Sequence, residues 1–109
     1  MHTNATVTVN GASATLELDS QTMTVTLLNP PAGAAFSTSA AVRLPNSAEP
    51  APGIPDQENP GVTVLTLQLP AGTYTLPILF NPQWPGMSAS DFVTPTVVAL
   101  DSWSLTSHN

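Results

Sequence analysis

From Thr3 to Leu28 polar residues alternate with aliphatic ones. Thr6 and Thr8 stand against Val7 and Val9, Glu17 against Ala14, Leu16 and Leu18, and Thr22, Thr24 and Thr26 against Met23, Val25 and Leu27. A period of two puts one set of side chains on each side of an extended strand, so the pattern predicts half-buried β-strands with an apolar inner face. Threonine's branched Cβ suits a pleated surface and disfavours a helix. Proline occurs twelve times, each time removing a backbone donor, and no stretch holds a 3.6-residue period, so no helix is expected. Asn10-Gly11 tolerates the positive φ of a tight hairpin turn, and Asp19-Ser20-Gln21 supplies a second short loop. The first third therefore predicts three strands in a meander.

The same phrase then returns. Thr15 to Pro30, TLELDSQTMTVTLLNP, is restated by Thr66 to Pro82, TLQLPAGTYTLPILFNP, with Phe80 inserted before Asn81-Pro82. Further on FSTSAAVRL, Phe36 to Leu44, returns as FVTPTVVAL, Phe92 to Leu100. This predicts two copies of a hairpin, loop and strand unit, about 14–45 and about 62–101, within a single domain spanning 1–109. Leu16 should match Leu67, Val25 match Leu76, and Phe36 match Phe92, all inward. Tyr74, Leu76, Ile78 and Phe80 would take the inward phase of Met23, Val25 and Leu27. Their bulk would make the second hairpin the centre of the core. Pro77 lies inside that strand, so the strand is an edge, is bulged, or points that position outward. Between the units, residues 45–61 carry Pro45, Pro50, Pro52, Pro55 and Pro60, a stiff connection suited to a crossover between two sheets. A last short strand is expected from Ser102 to Ser107, through a core Trp103. The expected fold is all-β, an antiparallel sandwich of about eight strands (jelly-roll or Ig-like) or a closed barrel.

Composition narrows the partners. At 109 residues one domain can bury roughly two thirds of its unfolded surface, enough for one ordinary core. Without cysteine there are no disulfides and no thiolate metal sites. The start MHTNATVTVNG has neither a basic nor an apolar signal region, and no apolar run approaches a span of roughly 18 residues, so the chain reads as soluble with no visible export signal. Charged residues make up 7% where about 25% is usual. Arg43 is the only Lys or Arg, which cannot supply the several phosphate contacts that nucleic acid or an anionic membrane would need. Sparse charge fits either a hydroxyl-rich surface or one buried against other subunits.

Catalytic patterns are thin. His2 and His108 lie near the ends of the chain, and Asp101 and Ser102 are adjacent, so a triad with His108 is not expected. Glu17 with Asp19, or Asp56 with Glu58, offers two carboxylates where calcium wants 6 to 8 oxygens. Neither a metal nor another cofactor is expected. Trp84 is the most suggestive residue. In NPQWPG it is bracketed by Pro82 and Pro85, in the loop the second copy lengthened, where a rigid indole can stack on a sugar or anchor a protein. The competing reading makes Trp84 a lid over the core. Pro82, Gln83, Trp84 and Pro85, with the loop carboxylates Asp56 and Glu58, are the candidate binding residues.

PAGTYTL and LDSWSLT resemble in cadence stretches of carbohydrate-binding jelly rolls and similar extracellular sandwiches, but carry no diagnostic motif, so no family follows from them. One functional reading is a carbohydrate-binding or adhesive module, with Trp84, Tyr74 and loop carboxylates forming the site. Against it stands the reading favoured by the composition: a non-enzymatic structural accessory protein attached to a larger assembly, such as a decoration or fibre protein of a virus or phage capsid. Its partners would be protein subunits, including further copies of itself, and its location the virion or another extracellular assembly.

Overall fold

The computed structural model describes residues 1–56 and 59–103. Seven strands lie among them: β1 His2–Thr3, β2 Thr6–Asn10, β3 Ser13–Leu18, β4 Gln21–Leu27, β5 Ala35–Ala40, β6 Thr63–Gln68 and β7 Ile78–Gln83. The remaining regular structure is two 3-10 turns, Ala89–Asp91 and Leu100–Ser102. The chain is all-β, as its alternation predicts. The strands form two antiparallel sheets, β2-β3-β4-β7 and β1-β6-β5. Among the described residues each sheet keeps two unpaired edges, so the architecture is an open, sandwich-like pair and not a closed barrel. Seven strands, not eight, are found among the described residues.

Turn chemistry sets the meander. Leu18 pairs with Gln21, leaving Asp19-Ser20 as a two-residue loop with φ of 48° and 64°. Two positive φ values in succession are the type I′ geometry, whose twist matches that of the strands it joins. Asn10 pairs with Ser13, and Gly11 takes the positive φ of 57° there. The register then faces Ala14 with Val25 and Leu16 with Met23. These inward residues, with Ala5 and Leu27, meet Phe36 and Leu65 of the other sheet in one buried cluster. Large members such as Leu27 and Phe36 contribute about 1.5–3 kcal/mol each by leaving water. The outer faces are hydroxyl ladders, as where Ser37 and Thr66 hydroxyls meet at 2.8 Å across β5 and β6.

The second copy folds differently. Its two arms separate: β6 pairs with β1 and β5, while β7 joins the opposite sheet beside β4. Thr73 to Pro77 forms no strand, and neither does Phe92 to Ala99. The expected second hairpin is not formed, so Leu16 and Leu67 occupy different sheets. Pro70-Ala71-Gly72 does not reproduce the double positive φ of Asp19-Ser20, since proline holds φ near −65°. The centre of the core lies in the first hairpin instead. Trp103 is exposed, its indole N–H donating to the Val98 carbonyl at 3.0 Å. Beyond it the expected strand lies outside the described residues.

Residues 45–61 also take another role. They join β5 to β6, which are antiparallel neighbours in one sheet, so the connection is not a crossover between sheets. Arg43 holds it: its guanidinium lies 3.0 Å from Glu49 and 3.6 Å from Asp56 and donates to the Ser47 carbonyl at 3.2 Å. The chain's lone arginine thus anchors its proline-rich loop.

Candidate functional site

Among the described residues β7 ends its sheet without an outer partner, and its register decides what it presents. The Leu28 amide donates to the Pro77 carbonyl at 2.9 Å, and Leu27 stands opposite Ile78. By antiparallel alternation the backbone groups of Leu79, Asn81 and Gln83 face β4, and those of Ile78, Phe80 and Pro82 face outward. Pro82 therefore sits in mid-strand where a missing donor costs nothing. Pro77 ends the ladder as an acceptor, just before the strand begins.

After Gln83 the chain turns sharply. The Met87 amide donates to the Trp84 carbonyl at 3.0 Å, with Pro85 and Gly86 between them and Gly86 at φ 85°. Proline followed by a positive-φ glycine is the type II turn, so Pro85-Gly86 fixes where the indole starts. Trp84 is 60% exposed and borders a groove of about 210 Å³ whose floor holds Leu16, Leu18, Met23 and Pro82. Gln21, Thr22 and Gln83 line its sides. The indole is thus neither a buried lid nor free of the fold.

Three of the expected binding residues come together here: Pro82, Gln83 and Trp84 line one groove, and Pro85 forms the turn beside it. Asp56 lies elsewhere, in the grooves beside Arg43, and Glu58 lies outside the described residues. Tyr74 lines neither, its ring resting against Gly72. Leu18 and Met23 were not singled out as site residues. Leu18 carried a signal, because it has the inward phase yet adjoins the hairpin turn, where the strand outruns its cover. Met23 is brought beside the loop by its pairing with Pro82, which no local pattern reveals.

Among the described residues no charged side chain lines this groove. An apolar floor with an indole wall and amide sides can stack on a flat ring or take an apolar anchor while the amides fix orientation. Elsewhere Ser102 donates to the adjacent Asp101 at 3.3 Å, and His108 lies outside the described residues. Among the described residues no three His, Asp or Glu side chains gather as metal ligands, and no helix is long and apolar enough to cross a membrane. No protein-family model matches the chain, and no curated protein or solved structure matches it significantly.

Proposed function

We propose that this is a non-enzymatic structural accessory protein that attaches to a larger protein assembly, such as the capsid of a virus or phage as a decoration or fibre component, with the Trp84 groove as its attachment point. The observation that carries the reading is the groove itself: an indole held outward by a Pro-Gly turn over an apolar, charge-free floor. Interface centres are depleted of charge and enriched in tryptophan, and preset aromatic anchors lose little entropy on docking. Sparse charge over the whole chain agrees with a molecule whose surface is contact surface.

The test is reassociation with intact particles from the natural source. Trp84→Ala should weaken it by about 2 kcal/mol or more, roughly thirtyfold in Kd, with cooperative unfolding unchanged. Particles that bind the variant as tightly as the parent would remove the groove from the attachment surface. A second reading, a carbohydrate-binding module, is favoured by the Gln21 and Gln83 amides flanking the indole. Under it the parent is retained on a glycan column, the variant is not, and particles are ignored.

A further inference from the structure

The two sheets do not cover each other equally. The three-stranded sheet packs over β2 and β3, while β7 lies at the far edge of the four-stranded sheet. Ile78 and Phe80 stand opposite Leu27 and Val25 on the inward face, yet they are 39% and 50% exposed. The amides of both also point away from β4, by the alternation that aims Pro77 at Leu28. Among the described residues, a strand's worth of core face and a strand's worth of edge are left open together.

The same chain carries an extended apolar segment without a sheet. Phe92 to Ala99 holds no strand, although Val93, Val97 and Val98 are the β-branched residues that strands favour. Val93 is 90% exposed and Leu100 76%. Within one copy the segment stands beside the open face without filling it: a groove of about 510 Å³ remains between Leu28, Leu76 and Ile78 on one side and Val98, Leu100 and Trp103 on the other.

Area and charge bear on what closes it. The chain exposes 8326 Å², where a compact monomer of 11.3 kDa exposes roughly 5,700 Å². Its radius of gyration is 17.6 Å against about 13 Å for a compact domain of this length. Permanent subunit interfaces take about 1,000–2,500 Å² from each partner, so the surplus, about 2,600 Å² per chain, is large enough to supply one. From Tyr74 to Leu100 the only charged residue is Asp91, so a second copy, itself at net charge −6, brings no row of like charges onto this face.

We infer that the segment Phe92 to Leu100 of one copy lies along the open face and edge of β7 in a second copy, so that each chain supplies the strand its neighbour lacks. Pro95 is compatible with that place, because an added edge strand has outer positions that need no donor. Exchange of an identical element is a low-cost route to a homo-oligomer. This goes beyond attachment to a larger assembly and does not depend on it.

The test uses the purified full chain alone. Light scattering after size exclusion should give at least twice 11.3 kDa, and Val98→Asp or Leu100→Asp should return the monomer with its cooperative unfolding kept. Because the chain has no cysteine, a Phe80→Cys variant can be mixed with a Val98→Cys variant and oxidised. Disulfide-linked pairs should join unlike variants. A mass of one chain at every concentration, an oligomer that survives both aspartate variants, or an absence of links between unlike variants would each overturn the assignment. None of these outcomes touches the Trp84 attachment test, so the two ideas fail separately.

Discussion

Thr15 to Pro30 and Thr66 to Pro82 share residues at the same phases and meet opposite fates. The first closes into the β3–β4 hairpin with Leu16, Val25 and Leu27 buried. The second divides between two sheets and leaves Ile78 and Phe80 half open. Matching apolar phases are thus not enough to make matching structures. The turns differ: Asp19-Ser20 accepts two positive φ values, whereas Pro70 cannot, and Pro77 offers no amide where Thr26 has one. Alternation says which face a residue takes, and turn and donor chemistry say which strand becomes its neighbour.

The largest expected effect follows from transplanting one difference. Thr26→Pro would place the Pro77 situation in a central strand, whose Thr26 amide faces Leu79 across the ladder. It should cost about 3 kcal/mol or more in urea unfolding, from a lost ladder bond and a clash. The reverse change, Pro77→Thr, should cost less than about 1 kcal/mol, because the new amide lies opposite the Leu28 carbonyl. Equal penalties for the two would show that the proline does not separate these stretches.

A second comparison weighs residues at the same inward phase. Leu27→Ala should destabilise the chain by about 3 kcal/mol as a filled core site is emptied. Phe80→Ala, measured where the chain is monomeric, should cost under about 1.5 kcal/mol, since half of that ring already meets water. A Phe80 penalty as large as that of Leu27 would put β7 in the closed core.

Smaller effects belong to the loops. Arg43→Ala removes the guanidinium that meets Glu49, Asp56 and the Ser47 carbonyl. These pairs are exposed on the carboxylate side, so global stability should fall by less than about 1 kcal/mol. Proteolysis within residues 45–61 should nevertheless quicken severalfold, as the loop opens locally. Unchanged cleavage would mean the prolines alone hold it.

The smallest effect depends on pH. The Asp91 carboxylate accepts from the Ser88 amide at 2.6 Å and its hydroxyl at 3.1 Å, and the amide bond first, then the hydroxyl, lowers its pKa below the usual 3.8. A lowered pKa means the ionised form orders the turn. That order is fully present above the ordinary carboxylate value and is lost as pH falls through the lowered one. The Ser88 amide resonance should hold its position from neutral pH down to about 4 and move only below it. Asp91→Asn should abolish that acid-side movement.

The legible and illegible parts of the fold divide along the same line. The Asn10-Gly11 and Asp19-Ser20 turns, the inward set Ala14, Leu16, Val25 and Leu27, and the outward hydroxyls followed from local chemistry, because each strand of that meander pairs with its sequence neighbour. β6 finds β1 and β5, and β7 finds β4; such distant pairings leave no local trace, so the second hairpin, the crossover and a core Trp103 were misread. Trp84's place in a turn was legible through the flanking Pro82 and Pro85. Its floor was not, because Leu18 and Met23 reach it only through the pairing of β4 with β7.

Hydrogen exchange across a concentration series tests most directly whether β7 is an unfinished part of the fold. At low concentration the Ile78 and Phe80 amides should exchange rapidly while those of Leu79 and Asn81, turned toward β4, stay protected. At high concentration all four should be protected, as another chain covers the edge. Ile78 and Phe80 amides that are protected at every dilution, or that remain fast however concentrated the protein, would contradict it.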